Sequence, residues 1–199
     1  MPASDLPTPR QVASRLVYKG RVIDLAVDQL ETPEGGLLRR ETVRHGGGVA
    51  IVPITAEGEV LLVRQYRHAV GGWLTEIPAG TLEPGEEPAA CAARELEEET
   101  GYTAGLLHLL GRIFLAPGYS AEVLWVYLAT DLAEGTAHPD DDEVIALCRA
   151  PISSEWGSAE EPVDAKTIAA LALTREWMAK RTPDTKRPGE PLHARRSAP

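Results

Sequence analysis

The sequence has few of the residues that build disulfide frameworks or zinc sites. It holds two cysteines among 199 residues, and neither Cys91 nor Cys148 lies in a spacing typical of metal or redox sites. We expect both to be small, buried side chains. The five histidines also lack a ligand spacing, so we assign none of them to a metal.

Long apolar runs and an excess of positive charge are absent as well. No apolar run reaches the roughly 18 residues typical of a membrane-spanning helix, and no signal peptide is recognisable. The formal net charge of −10 argues against a nucleic acid or an anionic membrane as partner. We therefore expect a cytoplasmic protein that binds neither, and one that needs metal cations if its substrate is a polyanion.

The chain is long enough for one domain with a sizeable core. No internal repeat or linker divides it. We expect a flexible tail at 1–9, a strand and hairpin region at 10–46, the main domain at 47–180 and a disordered, proline-rich tail at 181–199.

A β-hairpin is predicted within the N-terminal region. Residues 21–31 alternate between a buried apolar face, formed by Ile23, Leu25 and Val27, and a polar face. A turn then leads into a second, polar strand over 37–45. Because an isolated hairpin is barely stable in water, it should pack on the main domain or on a second subunit.

The main domain alternates predicted strands with two helices. Short apolar runs predict strands at 49–54, 60–67, 106–115, 122–129 and 143–149. Residues 163–180 predict a helix with Asp164 as its N-cap. Its buried stripe is expected to consist of Ile168, Leu171 and Ala172.

The most informative stretch is acidic, with Arg94 beside four glutamates in residues 95–99. Each helical residue advances about 100°, which places Glu95, Glu98 and Glu99 on one ridge. Like charges at these spacings weaken a helix, so a sequence that keeps them needs a cation nearby. Hard divalent metals such as Mg²⁺ take oxygen ligands of this kind. The alternative is a solvated acidic helix face, which is the common explanation of a charge run.

The wider pattern from Gly80 to Tyr102 resembles the Nudix box, GX5EX7REUXEEXGU with U a bulky aliphatic residue. All seven specific letters match, at Gly80, Glu86, Arg94, Glu95, Glu98, Glu99 and Gly101. A chance match in a chain of this length is roughly a one-in-a-million event at average residue usage. The departure is Tyr102, which stands at a structural position where an aliphatic residue is usual.

Other segments resemble the ADP-ribose pyrophosphatase branch of that family. They are Arg64–Arg67, Glu76–Gly80, Ala116–Glu122 and Asp164–Ile168. The resemblance implies an α/β Nudix fold, with a mixed β-sheet between helices and an N-terminal hairpin used for dimerisation. It implies hydrolysis of ADP-ribose to AMP and ribose 5-phosphate by a homodimer that uses Mg²⁺, with Mn²⁺ or another divalent cation as a substitute.

Two other functions stay open. The same box could cleave another nucleoside diphosphate sugar or a dinucleotide, because pocket residues choose the substrate. A module that senses ADP-ribose without cutting it is the other possibility. We expect such a module to lose box carboxylates, whereas this chain keeps all of them.

Expected roles follow for the box residues. Metals on Glu95, Glu98 and Glu99 would neutralise the pyrophosphate and activate water, and the resemblance adds the Ala79 carbonyl as a ligand. Arg94 is expected to hold a box glutamate rather than substrate, because it lies about 40° from Glu98 on the helix.

Substrate contacts are expected outside the box. Arg67 is predicted to bind phosphate, since guanidinium suits phosphate bidentately, although it could be an ordinary strand-end arginine. Arg39 and Arg40 either reach substrate, as the resemblance implies, or solvate an edge strand. The resemblance also implies substrate contacts in the loop of Pro117, Gly118 and Tyr119.

The general base should lie outside the box, because a metal-bound carboxylate is a poor proton acceptor. Two acidic sites qualify, Glu122 and the run Asp140–Glu143. The resemblance implies a glutamate on the loop before the penultimate strand, which favours Glu143. The neighbouring aspartates of that run stay open as alternatives.

Overall fold

The computed structural model describes residues 6–138, 144–157 and 162–181. The helices are α1 (Pro88–Thr100) and α2 (Ala165–Arg181). The strands are β1 (Arg10–Lys19), β2 (Ile23–Glu31), β3 (Leu37–His45), β4 (Gly48–Pro53), β5 (Glu59–Arg67), β6 (Gly72–Glu76), β7 (Ala79–Thr81), β8 (Tyr102–Phe114), β9 (Val123–Glu134) and β10 (Ile145–Pro151).

A four-stranded mixed sheet, in the order β7–β4–β9–β8, forms the centre of the main domain. β4 runs parallel to β9, and the outer pairs are antiparallel. A second sheet, β10–β5–β6, is antiparallel throughout. It carries the β5–β6 hairpin that leads directly into β7.

The two helices pack on opposite sides of β4, because alternate residues of a strand point to opposite faces. Val49 and Ile51 belong to the cluster that contains Leu96 of α1. Ala50 and Val52 belong to the cluster that contains Leu171 of α2. This arrangement confirms the predicted α/β fold, with a mixed sheet between helices.

The buried face of α2 differs from the predicted one. Leu171 is buried as expected, but Ile168 and Ala172 are exposed. The buried residues are Lys166, Thr167, Ala170, Leu171 and Thr174. Polar contacts draw the first turn inward: the Asp164 carboxylate caps it by accepting the Thr167 N–H at 3.1 Å. A pattern based on hydrophobicity cannot anticipate a lysine whose charge is paired inside the protein.

The N-terminal sheet has three strands rather than two. β2 and β3 form the predicted hairpin, with Glu31 opposite Leu37, and β1 adds a further antiparallel strand. Its buried face also differs from the prediction: Ala26 and Asp28 are buried, whereas Leu25 and Val27 are half-buried and Ile23 is exposed. The Ser14 hydroxyl donates to the Asp28 carboxylate at 2.6 Å.

That contact and two further bonds lower the pKa of Asp28, because the side chains of Ser14, Thr42 and Arg44 all bond to its ionised form. The satisfied carboxylate can therefore occupy an inward position that the alternation rule gives to apolar side chains.

The hairpin packs on the main domain, one of the two expected arrangements. The Val43 N–H donates to the Tyr119 carbonyl, and the Ala121 N–H donates to the Val43 carbonyl, at 2.8 and 2.9 Å. All ten residues of β1, in contrast, are exposed. Within the described residues, no helix is both long enough and apolar enough to cross a membrane.

Candidate active site

Helix α1 presents the acidic ridge because its two ends are firmly defined. Pro88 occupies the first turn, where its missing N–H costs nothing. Gly101 ends the helix in the left-handed conformation, at φ 76°, and its N–H donates to the Glu97 carbonyl at 2.8 Å. Leu96 is buried and Glu97 is exposed, so the remaining glutamates face the loop and β7.

Arg94 lies at the centre of the acidic ridge. Its Nη1 donates to Glu95 at 2.8 Å and to Glu98 at 2.9 Å. Nε and Nη2 form a bidentate pair with the two oxygens of Glu86, at 2.9 and 3.0 Å. These bonds hold the pKa of Glu86 down to about 2 and raise the pKa of Arg94 above its ordinary value. One guanidinium therefore offsets three carboxylates.

Glu99 connects the helix to β7 and is itself buried. Its Oε2 accepts the backbone N–H of Ala79 at 3.1 Å. The bond brings the start of β7, with the residue expected to offer a carbonyl ligand, against the acidic ridge.

Gly80 is where the ridge meets the backbone of β7. A Cβ built on Gly80 would lie 1.8 Å from the carboxyl carbon of Glu95 and 2.0 and 2.2 Å from its oxygens. The carboxylate of Glu95 therefore occupies the space that any side chain at this position would need. The first glycine of the box is explained by this close approach rather than by a turn.

The oxygen donors fit a hard divalent cation in chemistry. Glu95 and Glu99 lie against the backbone of Gly80 and Ala79, and Glu98 is joined to Glu95 through Arg94. All three offer the carboxylate oxygens that hard cations prefer. Across the described ranges, no three His, Cys, Asp or Glu side chains are grouped as a metal site. The Arg94 guanidinium bonds to Glu95 and Glu98.

A cavity of about 530 Å³ opens beside β7. Its lining includes Arg67, Glu76, Ala79, Gly80, Glu122 and Lys166. The Nε of Arg67 donates to Glu76 at 2.7 Å. The structure thus brings the predicted phosphate-binding arginine and the alternative base Glu122 into one space with the backbone of β7.

The other predicted substrate residues do not line this cavity within one protomer. Arg39 is exposed and pairs with Glu41 at 3.6 Å, while Arg40 is exposed beside it. Pro117, Gly118 and Tyr119 form an exposed turn that holds β3 through the Tyr119 carbonyl.

Glu143, with Asp140, Asp141 and Asp142, lies outside the described residues. The described residues that flank this run make two backbone contacts. The His138 N–H donates to the Glu98 carbonyl at 3.0 Å, and Ile145 is paired with Gln65, two residues before Arg67.

Sequence reasoning missed three contributors to the site. Glu86 is a letter of the box for which no role was predicted, and it is the bidentate partner of Arg94. Glu76 and Lys166 form a buried ion pair at 2.6 Å although they are 90 residues apart. The motif letters could have suggested Glu86 as a partner, but no local signal connects the other two.

Tyr102, the one departure from the box, is accommodated by a polar contact. Its ring is buried in the cluster beneath α1. Its hydroxyl accepts a hydrogen bond from Arg149 of β10. The phenol fills the aliphatic position and satisfies its polar end outside the core.

Comparisons with known proteins give the family of the chain. A family model for the NUDIX domain matches residues 44–178. The ADP-ribose pyrophosphatase of Bacillus subtilis (strain 168) is 39% identical over 166 residues, which are 81% of this chain and 90% of that protein. The methanol dehydrogenase activator of Bacillus methanolicus is 37% identical over 166 residues, which are 81% of this chain and 90% of that protein.

A solved structure gives the same result for the fold. The crystal structure of an ADP compounds hydrolase matches with a TM-score of 0.76 at 28% identity, covering 89% of this chain and 98% of that one. The matched domain includes all of α1 and both sheets of the main domain. Together with the seven specific residues of the box around α1, these matches show that the chain belongs to the Nudix family.

Proposed function

We propose that this protein hydrolyses the pyrophosphate of ADP-ribose to AMP and ribose 5-phosphate, with Mg²⁺ as its cation. The observation that carries the proposal is the meeting of an oxygen-rich ridge on α1 with a cavity that contains Arg67. The relative named ADP-ribose pyrophosphatase and the solved ADP compounds hydrolase support this substrate class.

The metal ligands are Glu95, Glu98, Glu99 and the Ala79 carbonyl. When bound, a divalent cation neutralises charge on the pyrophosphate and lowers the pKa of a bound water. Arg94 keeps Glu95 and Glu98 in place through its bonds to both, and Glu86 holds the other side of the guanidinium. Glu99 fixes the Ala79 backbone in the same group.

Arg67 binds the phosphates and Glu143 accepts a proton from the attacking water. Within the described residues, the Arg67 guanidinium is bonded through Nε alone, which leaves its Nη groups to donate to phosphate oxygens. The backbone bond from His138 to Glu98 and the pairing of Ile145 with Gln65 support Glu143. They place His138 beside the backbone of α1 and Ile145 beside β5.

The protein acts as a homodimer in this proposal. The exposed strand β1 carries several large apolar side chains, Val12, Leu16, Val17 and Tyr18. Such a strand edge is a template for pairing with another chain. A second protomer covering this sheet would bring Arg39, Arg40 and the Pro117–Tyr119 turn towards a neighbouring cavity.

The substrate is tested first by incubation with ADP-ribose, other nucleoside diphosphate sugars and dinucleotides in Mg²⁺, with chromatography of the products. We expect AMP and ribose 5-phosphate at the highest kcat/KM for ADP-ribose. The panel is needed because the relative from Bacillus methanolicus is named methanol dehydrogenase activator and not ADP-ribose pyrophosphatase. Binding of ADP-ribose without products would instead indicate a sensing module.

Metal dependence belongs to the same experiment. Excess EDTA should abolish turnover, and Glu98→Gln should lower kcat by about 10³-fold, as expected for loss of a charge that stabilises the transition state. Full turnover in EDTA would rule out the metal mechanism.

Gly80→Ala tests whether the Glu95 carboxylate must lie against β7. The protein should still fold, because the displaced atoms are the end of a flexible side chain. The Mg²⁺ concentration for half-maximal rate should rise by about 10-fold or more. Gly111→Ala in β8 is the control, since a Cβ there meets nothing within 4 Å. An unchanged Mg²⁺ requirement in Gly80→Ala would contradict this placement of Glu95.

Replacing the two candidate bases separates their roles. Glu143→Gln should lower kcat by about 10²–10⁴-fold, the usual contribution of a general base, with Mg²⁺ and ADP-ribose binding little changed. Glu122→Gln should retain most of the activity. If the Glu122 variant is inactive while the Glu143 variant turns over normally, the base is Glu122.

Deleting residues 1–45 tests the dimer, because β4 begins beyond that point. The shortened protein should sediment as a monomer and show a raised KM for ADP-ribose. Deleting residues 1–9, which precede β1, is the matched control and should change neither. A full-length protein that is active as a monomer would refute the dimer proposal.

A further inference from the structure

A network of charged side chains, two of them buried, lines the cavity. Glu76 at the end of β6 is almost fully buried, as is Lys166 in the first turn of α2. Lys166 Nζ donates to Glu76 Oε1 at 2.6 Å and to Asp164 Oδ1 at 3.0 Å. Glu76 Oε2 accepts from Arg67 Nε at 2.7 Å.

The two oxygens of Glu76 are therefore divided between two cations. A buried carboxylate beside an arginine ordinarily forms a bidentate pair, with both oxygens bonded to one guanidinium. Here Oε1 bonds to Lys166 Nζ and Oε2 to Arg67 Nε, so Lys166 competes with Arg67 for the oxygen that a bidentate pair would need. The Nη groups of Arg67 consequently remain available on the side of the cavity that Arg67 lines.

The position of Lys166 is itself fixed by its surroundings. Asp164 accepts bonds from the Thr167 N–H at 3.1 Å and from the Thr167 hydroxyl at 2.6 Å, as well as from Lys166. The same hydroxyl accepts the Ile77 N–H at 3.1 Å. The first turn of α2 is thereby attached to the residue that follows Glu76, so Lys166 and Glu76 keep a constant separation.

We propose that Lys166 is a positioning residue for the substrate's pyrophosphate. By binding Glu76 it prevents the carboxylate from chelating Arg67, and so keeps the Arg67 guanidinium turned to the cavity as a two-pronged phosphate donor. The inference rests on the proposed function of Arg67 as a phosphate ligand. A role confined to stability would attach α2 to β6 without any effect on phosphate affinity.

Lys166→Met removes the ammonium while keeping a similar length of side chain. Glu76 should then draw Arg67 into a bidentate pair. The KM for ADP-ribose should rise by about 10- to 100-fold with kcat changed by less than about 3-fold, the pattern of lost ground-state binding. Lys180→Met is the matched control, because Lys180 lies on the same helix, exposed and paired with Glu176. It should leave both constants unchanged.

A second substitution separates positioning from stability. In Glu76→Gln/Lys166→Met the charge that captures Arg67 is gone, so KM should return at least partly towards the original value. A role in stability alone predicts no such recovery. An unchanged KM in Lys166→Met, or a further loss in the double variant, would overturn the proposal. Should Lys166→Met fail to fold, Lys166→Leu also removes the donor to Glu76 and should raise KM; an unchanged KM there would equally overturn it.

Failure of the proposed activity is distinguished by a binding measurement. If the wild-type protein does not cleave ADP-ribose, calorimetry with inorganic pyrophosphate and Mg²⁺ replaces the kinetic assay. Lys166→Met should weaken that binding by the same factor, and the double variant should restore part of it. If the wild-type protein binds neither pyrophosphate nor ADP-ribose, Arg67 is not a phosphate site and the inference falls.

Discussion

The repulsion among carboxylates on one ridge of α1 is the constraint that shapes the site. Glu95, Glu98 and Glu99 lie within two turns of one helix, and Glu86 faces them from the preceding loop. Such a group is stable only beside positive charge. Arg94 supplies that charge through four hydrogen bonds to three of the four acids. A bound divalent cation would reduce the repulsion among these carboxylates further.

Packing and hydrogen bonds hold α1 and β7, the two elements that surround the acidic ridge, in place. α1 is held on the sheet through Leu96 and its neighbours, so its polar face cannot rotate away from β7. β7 in turn is fixed by the Glu99 bond to Ala79 and by its pairing with β4. A second carboxylate paired with positive charge lines the cavity, where Glu76 forms ion pairs with Arg67 and Lys166.

The local parts of this structure were predictable, and the non-local parts were not. The acidic ridge of α1 was predicted from its spacing, and Pro88 and Gly101 define the ends of the helix through effects on their neighbours in the sequence. The buried faces of β2 and α2 were wrong for a shared reason. In each, a charged residue, Asp28 or Lys166, is buried through partners that lie far along the chain.

The contacts on which the proposed substrate site depends share that non-local character. The Glu76–Lys166 pair and the backbone bond from His138 to Glu98 join segments separated by tens of residues. Neither leaves a periodicity or a spacing in the sequence. The box, in contrast, concentrates its chemistry within 23 residues from Gly80 to Tyr102, which is why resemblance identified it and could be tested against the geometry.

The central claim is that the ridge on α1 binds a divalent cation. Electron paramagnetic resonance of Mn²⁺ titrated into the protein without substrate tests it most directly, because it reads binding rather than turnover. The account predicts saturable Mn²⁺ binding that Mg²⁺ displaces and that Glu98→Gln weakens by about 10-fold or more. Equal Mn²⁺ binding by the wild-type protein and Glu98→Gln would contradict it.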